Sequence, residues 1–97
     1  MHVDTIVKGQ FEVTDHYELS HGVFVVGHIC DGVFREGMKV PTGQDPAFLT
    51  VSVIEYVDNL AKGKFWNALA FRERPTLEFV KSVFPVGAVL EAEESAS

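Results

Sequence analysis

Glycine sets the first constraint on this chain. Gly22, Gly27, Gly32 and Gly37 stand at even intervals, and the stretches between them are rich in strand formers, as in Val23-Phe24-Val25-Val26. Lacking a Cβ, glycine accepts left-handed backbone and close strand approach, and it weakens a straight strand that contains it. Glycines this dense among β-branched residues describe turns and bends in a tightly curved sheet. No other residue type recurs with the interval, so it is not a structural repeat.

The segments between the glycines read as short strands. Phe11, Val13, Tyr17 and Leu19 fall on one face of a strand, broken by Asp15, while Glu12, Thr14, His16 and Glu18 fall on the other. Ser20-His21-Gly22 is a reversal, and residues 23 to 30 return with apolar side chains on both faces. Turns at Asp31-Gly32 and Glu36-Gly37 lead to Val33-Phe34 and then to Met38-Lys39-Val40, and Pro41 to Pro46 is a loop. A long strand runs from Phe48 to Val57. Its apolar alternation changes parity between Val53 and Ile54, the signature of a bulge. Lys62-Gly63-Lys64 turns the chain into a strand over Phe65 to Phe71.

One segment departs from this pattern. Pro75 suits a first helical turn, Leu77, Val80 and Phe84 follow at i, i+3 and i+7, and Phe79 and Val83 add a second stripe. The spacing predicts one short helix over 75–84, plugging the end of a barrel. Pro85 and Gly87 stop it, Val89-Leu90 forms a last strand, and Glu91 to Ser97 reads as a solvated acidic tail. Six short strands with close turn signals predict an all-β fold, a small closed six-stranded, Greek-key-like barrel. Closure removes the edges that an apolar strand such as 23 to 30 would otherwise expose.

Composition narrows the function classes. The 97 residues fit one domain, 1–97, with its core over 9–92 and flexible ends at 1–8 and 93–97. Eight lysines and arginines against fourteen aspartates and glutamates give a formal charge of −6, which disfavours nucleic-acid partners. The densest cationic group is Lys62 and Lys64 with Arg72 and Arg74 one strand away, a candidate basic patch. Cys30 is the single cysteine, so no internal disulfide forms. No segment has the length of a membrane span and no secretory leader is recognised, so the expected location is cytoplasmic.

The order of motifs resembles a known family. Phe11-Glu12-Val13-Thr14-Asp15, Gly22-Val23-Phe24-Val25-Val26-Gly27-His28-Ile29 and Gly32-Val33-Phe34-Arg35-Glu36-Gly37-Met38-Lys39-Val40 follow one another as in domain 2, the β-barrel, of elongation factor Tu-like translational GTPases. Val53-Ile54-Glu55-Tyr56, Gly63 and Phe84-Pro85-Val86-Gly87-Ala88-Val89-Leu90 continue the likeness over roughly residues 9 to 92. The resemblance implies a stand-alone barrel without the GTPase domain. No phosphate-binding loop is present, since Met38 and Lys39 follow Gly37. His28, and a position near His21, stand where the family usually carries basic residues. That substitution removes the permanent charge and forked geometry that grip phosphate, putting the family's RNA contacts in doubt.

The remaining constellations are weak as chemistry. His16 and His28 would share an outer face with Cys30 nearby, but no metal-ligand spacing occurs, so no metal site is assigned. Ser20, His21 and Asp15 lie too close along one turn to form a nucleophilic triad, and no catalytic residue is assigned. Asn67 stands in the row Phe65, Asn67, Leu69, Phe71, where a buried amide would need partners; it is a candidate polar pocket. Phe24, Val26 and Trp66 would form an exposed apolar surface if Val25 and Ile29 point inward, a candidate interface for a partner or for self-association. The favoured reading is a non-catalytic binding or regulatory module with a protein partner and no cofactor. A small-molecule or metal-binding barrel and a translation-linked RNA or ribosome binder are the alternatives.

Overall fold

The computed structural model describes residues 5–20, 22–59 and 64–96. Six strands and one helix follow in chain order: β1 (Thr5–Leu19), β2 (Gly22–Gly32), β3 (Lys39–Pro41), β4 (Phe48–Asn59), β5 (Lys64–Phe71), α1 (Leu77–Val83) and β6 (Val89–Ala96). The strands close into an antiparallel barrel in the order β1-β2-β5-β4-β3-β6. β3, β4 and β5 form a meander, and β2 crosses over to lie beside β5, which is the Greek-key relation. No helix among the described residues is long and apolar enough to cross a membrane.

Three single-residue irregularities bend the strands. Val13 faces Gly27 and Asp15 faces Val26, leaving Thr14 as an extra residue on β1, its hydroxyl donating to the Val26 carbonyl at 3.1 Å. Cys30 is the extra residue on β2, between the partners of Gln10 and Phe11. Ser52 is the extra residue on β4, since Val51 faces Phe71 and Val53 faces Ala70. The predicted bulge in β4 is therefore present, at Ser52. It turns Leu49, Val51 and Ile54 inward and leaves Val53 outside.

Glycine lets two strands pass closely. A Cβ on Gly27 would stand 1.8 Å from the Glu12 carbonyl oxygen and 2.8 Å from the Phe11 ring. Gly32 takes φ +68° at the end of β2, where a side chain would be strained as well as crowded.

The barrel interior is filled by aliphatic and aromatic side chains. Phe11, Val25, Met38, Val40, Leu49, Val51 and Leu69 are fully buried. Phe11 meets Phe34 at 5.6 Å between ring centres, and Phe71 meets Phe84 at 5.8 Å. Burying each such side chain contributes about 1.5–3 kcal/mol, before the cost of ordering it.

Helix α1 lies within the predicted range and closes one end. Thr76 caps it, accepting from the Phe79 amide at 3.1 Å; Val80 and Phe84 enter the core, with Leu77, Phe79 and Val83 packed against it.

The C-terminal segment differs from the expected acidic tail. Residues up to Ala96 pair with β1, with Val7 opposite Glu94 and Lys8 opposite Glu93, so 5–8 and 93–96 are paired strand rather than loose ends. Leu90 and Ala92 turn inward while Glu91 and Glu93 turn out, and Glu93 lies between Lys8 on β1 and Lys39 on β3. Opposite charges across neighbouring strands favour this pairing.

Candidate interaction surface

The Thr14 bulge decides which side chains reach the outer face. By shifting the parity of β1 it sends Tyr17 outward and His16 inward, the reverse of the simple alternation. Tyr17 stacks on Phe24 with ring centres 5.2 Å apart and planes at 18°. Phe24 is 1% exposed and Val26 8% exposed, and with Ala68 they form a second apolar cluster, packed against by Tyr17, Trp66 and Ala70. Phe24 and Val26 are therefore not an exposed interface, because the neighbouring strand supplies the tyrosine that covers them. Trp66 remains partly exposed at the other end of the cluster, where His28 stacks on it at 4.3 Å. Burial raises the Tyr17 phenol above its ordinary value, with a further push from the Glu55 charge.

The cover stops at the end nearest the β1–β2 turn. The outward side chains of β5 run Trp66, Ala68, Ala70, and the small alanine at position 70 leaves a depression between two apolar walls. Leu19 forms one wall and Val53, the cross-strand partner of Ala70, forms the other; they are 45% and 39% exposed. Glu18, Glu55, Arg74 and Pro75 complete a groove of about 400 Å³. Sequence reasoning missed this surface. Its trace was the run of small residues at every second position after Trp66, read next to the parity change in β4.

The other candidate residues do not converge. Lys62 lies outside the described residues. Lys64 opens β5 and Arg72 follows its last residue, so eight residues of strand put them about 26 Å apart. Arg72 also lies 3.9 Å from the Glu36 carboxylate, an exposed pair that offsets its charge. The predicted basic patch is thus split between opposite ends of a strand. Asn67 is half-buried, opposite Gly27 on β2 and Tyr56 on β4.

The histidines do not share a face either. His16 Nε2 lies 2.6 Å from the Phe84 carbonyl at the end of α1, whereas His28 is on the outer face with Trp66. Cys30 is exposed, its thiol donating weakly to the His28 carbonyl at 3.6 Å. Among the described residues no three His, Cys, Asp or Glu side chains come close enough to hold a metal ion. The Asp15 carboxylate accepts from the His16 amide at 2.7 Å, and His21 lies outside the described residues.

One carboxylate is firmly held. Glu73 Oε1 accepts from the Thr50 amide at 2.6 Å and Oε2 from the Thr50 hydroxyl at 2.7 Å, tying the corner after β5 to β4. Partial burial pushes the Glu73 carboxyl up, but the Thr50 hydrogen bonds, its own backbone amide and the Arg72 charge together hold it below the ordinary glutamate value. This is a structural clasp, since both oxygens are already engaged.

Fold and surface together define a small closed Greek-key barrel with a filled interior and a groove of mixed polar and apolar lining near its β1–β2 turn. Comparison with known protein families, with curated proteins and with solved structures finds no match.

Proposed function

We propose that this chain is a non-catalytic binding module whose partner is another protein, engaged by the outer surface of the barrel. The observation that carries the reading is the pair of exposed apolar walls, Leu19 and Val53, lining one groove beside a covered apolar cluster. Exposed apolar side chains set among polar and charged ones in a shallow concavity are a usual character of a protein-docking site. Among the described residues the interior is occupied by aliphatic and aromatic side chains. The net charge of −6 and the separation of Lys64 from Arg72 disfavour an RNA partner.

The order of glycine-bounded strands supports descent of the barrel from the second domain of translational GTPases, and a closed antiparallel barrel is compatible with it. That likeness does not carry the family's activity with it. The exposed, unpaired Cys30 favours a reducing compartment and hence the cytoplasm.

The test is recovery of the tagged protein from its native cells after nuclease treatment and chemical crosslinking. A protein crosslinked to the outer surface, and still recovered when nucleic acid has been digested, is the expected result. Recovery that disappears with the nucleic acid, or a small molecule held inside the barrel with no protein attached, would refute the reading.

A further inference from the structure

The groove carries charge as well as apolar surface. Glu18 and Glu55 both line it and both are exposed, with Arg74 the one cation among the described lining residues. Glu55 lies close enough to Tyr17 for its charge to help keep the phenol protonated. Ala70 lies beside its cross-strand partner Val53, with Glu55 next along β4 on the same face, and Leu19 and Glu18 border the groove from the end of β1, which leaves room for a side chain of the partner over the alanine.

We propose that this groove takes an extended segment of the partner protein in which an apolar side chain lies next to a lysine or arginine. The inference deepens the protein-binding reading and rests on it. The apolar side chain seats over Ala70, and the neighbouring cation reaches Glu18 or Glu55. The acidic whole of the molecule, at −6, attracts a basic segment from a distance and repels an acidic one. The same two carboxylates turn phosphate backbones away from this face, which selects a peptide over RNA.

The experiment uses the full chain, isotope-labelled, and two synthetic nine-residue peptides: one alternating leucine with lysine, one alternating leucine with glutamate. Amide shifts are followed during titration of the wild type, of Glu55→Lys, and of Glu91→Lys. Glu91 is on β6, opposite β5 in the barrel order, so its variant carries the same charge change on the far side.

The lysine peptide is expected to saturate shifts at Leu19, Val53 and Ala70, the glutamate peptide to leave them unmoved, and Glu55→Lys to weaken binding on the order of tenfold, the scale of one lost charge contact. Glu91→Lys should change it far less. Equal weakening by the two variants reveals mere charge attraction and overturns the proposal. So do equal binding of both peptides, shifts elsewhere on the barrel, or no shifts at all. If a native partner is recovered after nuclease treatment while the lysine peptide leaves the groove unmoved, the protein-binding reading survives and the groove assignment fails.

Discussion

Replacing Gly27 by alanine tests the barrel at its tightest crossing. The added Cβ would stand 1.8 Å from the Glu12 carbonyl oxygen and 2.8 Å from the Phe11 ring, which is fully buried. Relief requires β1 to move away from β2 by more than an ångström, because the nearest obstacle is backbone and not the tip of a flexible side chain. Overpacking of this kind costs about 1–3 kcal/mol. Disturbing one or two ladder hydrogen bonds around Val13 and Gly27 adds about 0.5–1.5 kcal/mol each. Against this, alanine restricts the unfolded chain and returns about 0.4–1 kcal/mol. The net expectation is a loss of about 2–4 kcal/mol, or roughly 10–30 °C in Tm for a chain of this size. Urea unfolding checks it, with the midpoint falling and the slope unchanged. Gly43→Ala is the control: no heavy atom lies within 4 Å of its Cβ, and its φ of +75° charges only the backbone penalty of about 1–2 kcal/mol. A Gly27→Ala protein within about 0.5 kcal/mol of wild type, the range of an ordinary surface change, would refute the argument from close approach.

Three further outcomes follow from the geometry. Glu73 titrates in the folded state below its ordinary value, so its clasp on Thr50 contributes fully at neutral pH and is lost as pH falls below that ordinary value and through the folded one; Glu73→Gln should lower the urea midpoint at pH 7, and the gap to wild type should narrow as the pH is taken down through that range, whereas a gap independent of pH would contradict the clasp. His16→Leu leaves the Phe84 carbonyl without its imidazole partner at the end of α1, which should cost about 1 kcal/mol and lower Tm by about 4–8 °C; an unchanged Tm would show that the contact carries no weight. Trp66 is the only tryptophan, so His28→Ala should shift the protein's emission to longer wavelength as the indole loses its stacked cover, and an unmoved spectrum would count against that cover.

Much of the barrel was legible because its signals are local. Gly22, Gly32, Gly37 and Gly87 all take positive φ, which is what their places between strands demanded. The parity change after Val53 marked the Ser52 bulge to within two residues, and the helix showed in its paired stripes, Leu77 with Val80 and Phe79 with Val83. Two of the features that escaped have a plain physical reason. Glu91 to Ala96 is poor in strand formers, and only pairing with β1 makes it a strand. The Thr14 bulge escaped because threonine is an ordinary strand residue. The trace was Asp15, which broke the apolar face that Phe11 and Val13 had begun, and it reads correctly once Thr14 is counted as the extra residue.

That one residue governs where the surface can act. A strand such as β2, apolar on both sides, meets the core with Val23 and Val25 and must cover Phe24 and Val26 with something else. Without the bulge Tyr17 would point inward and the outer pair would be bare; with it, tyrosine covers them, and His16 is released to bond the Phe84 carbonyl at the end of α1. The cover is finite, however. Tyr17 lies over Phe24 and the His28–Trp66 stack closes the far end, so the uncovered remainder is the strip where β5 offers only Ala70 between Leu19 and Val53. Apolar surface left in water forgoes about 25 cal/mol for each Å² that a partner could bury. On this face of the barrel the gain available to a partner therefore lies at the groove and not at Phe24 and Val26, whose hydrophobicity is more obvious in the sequence.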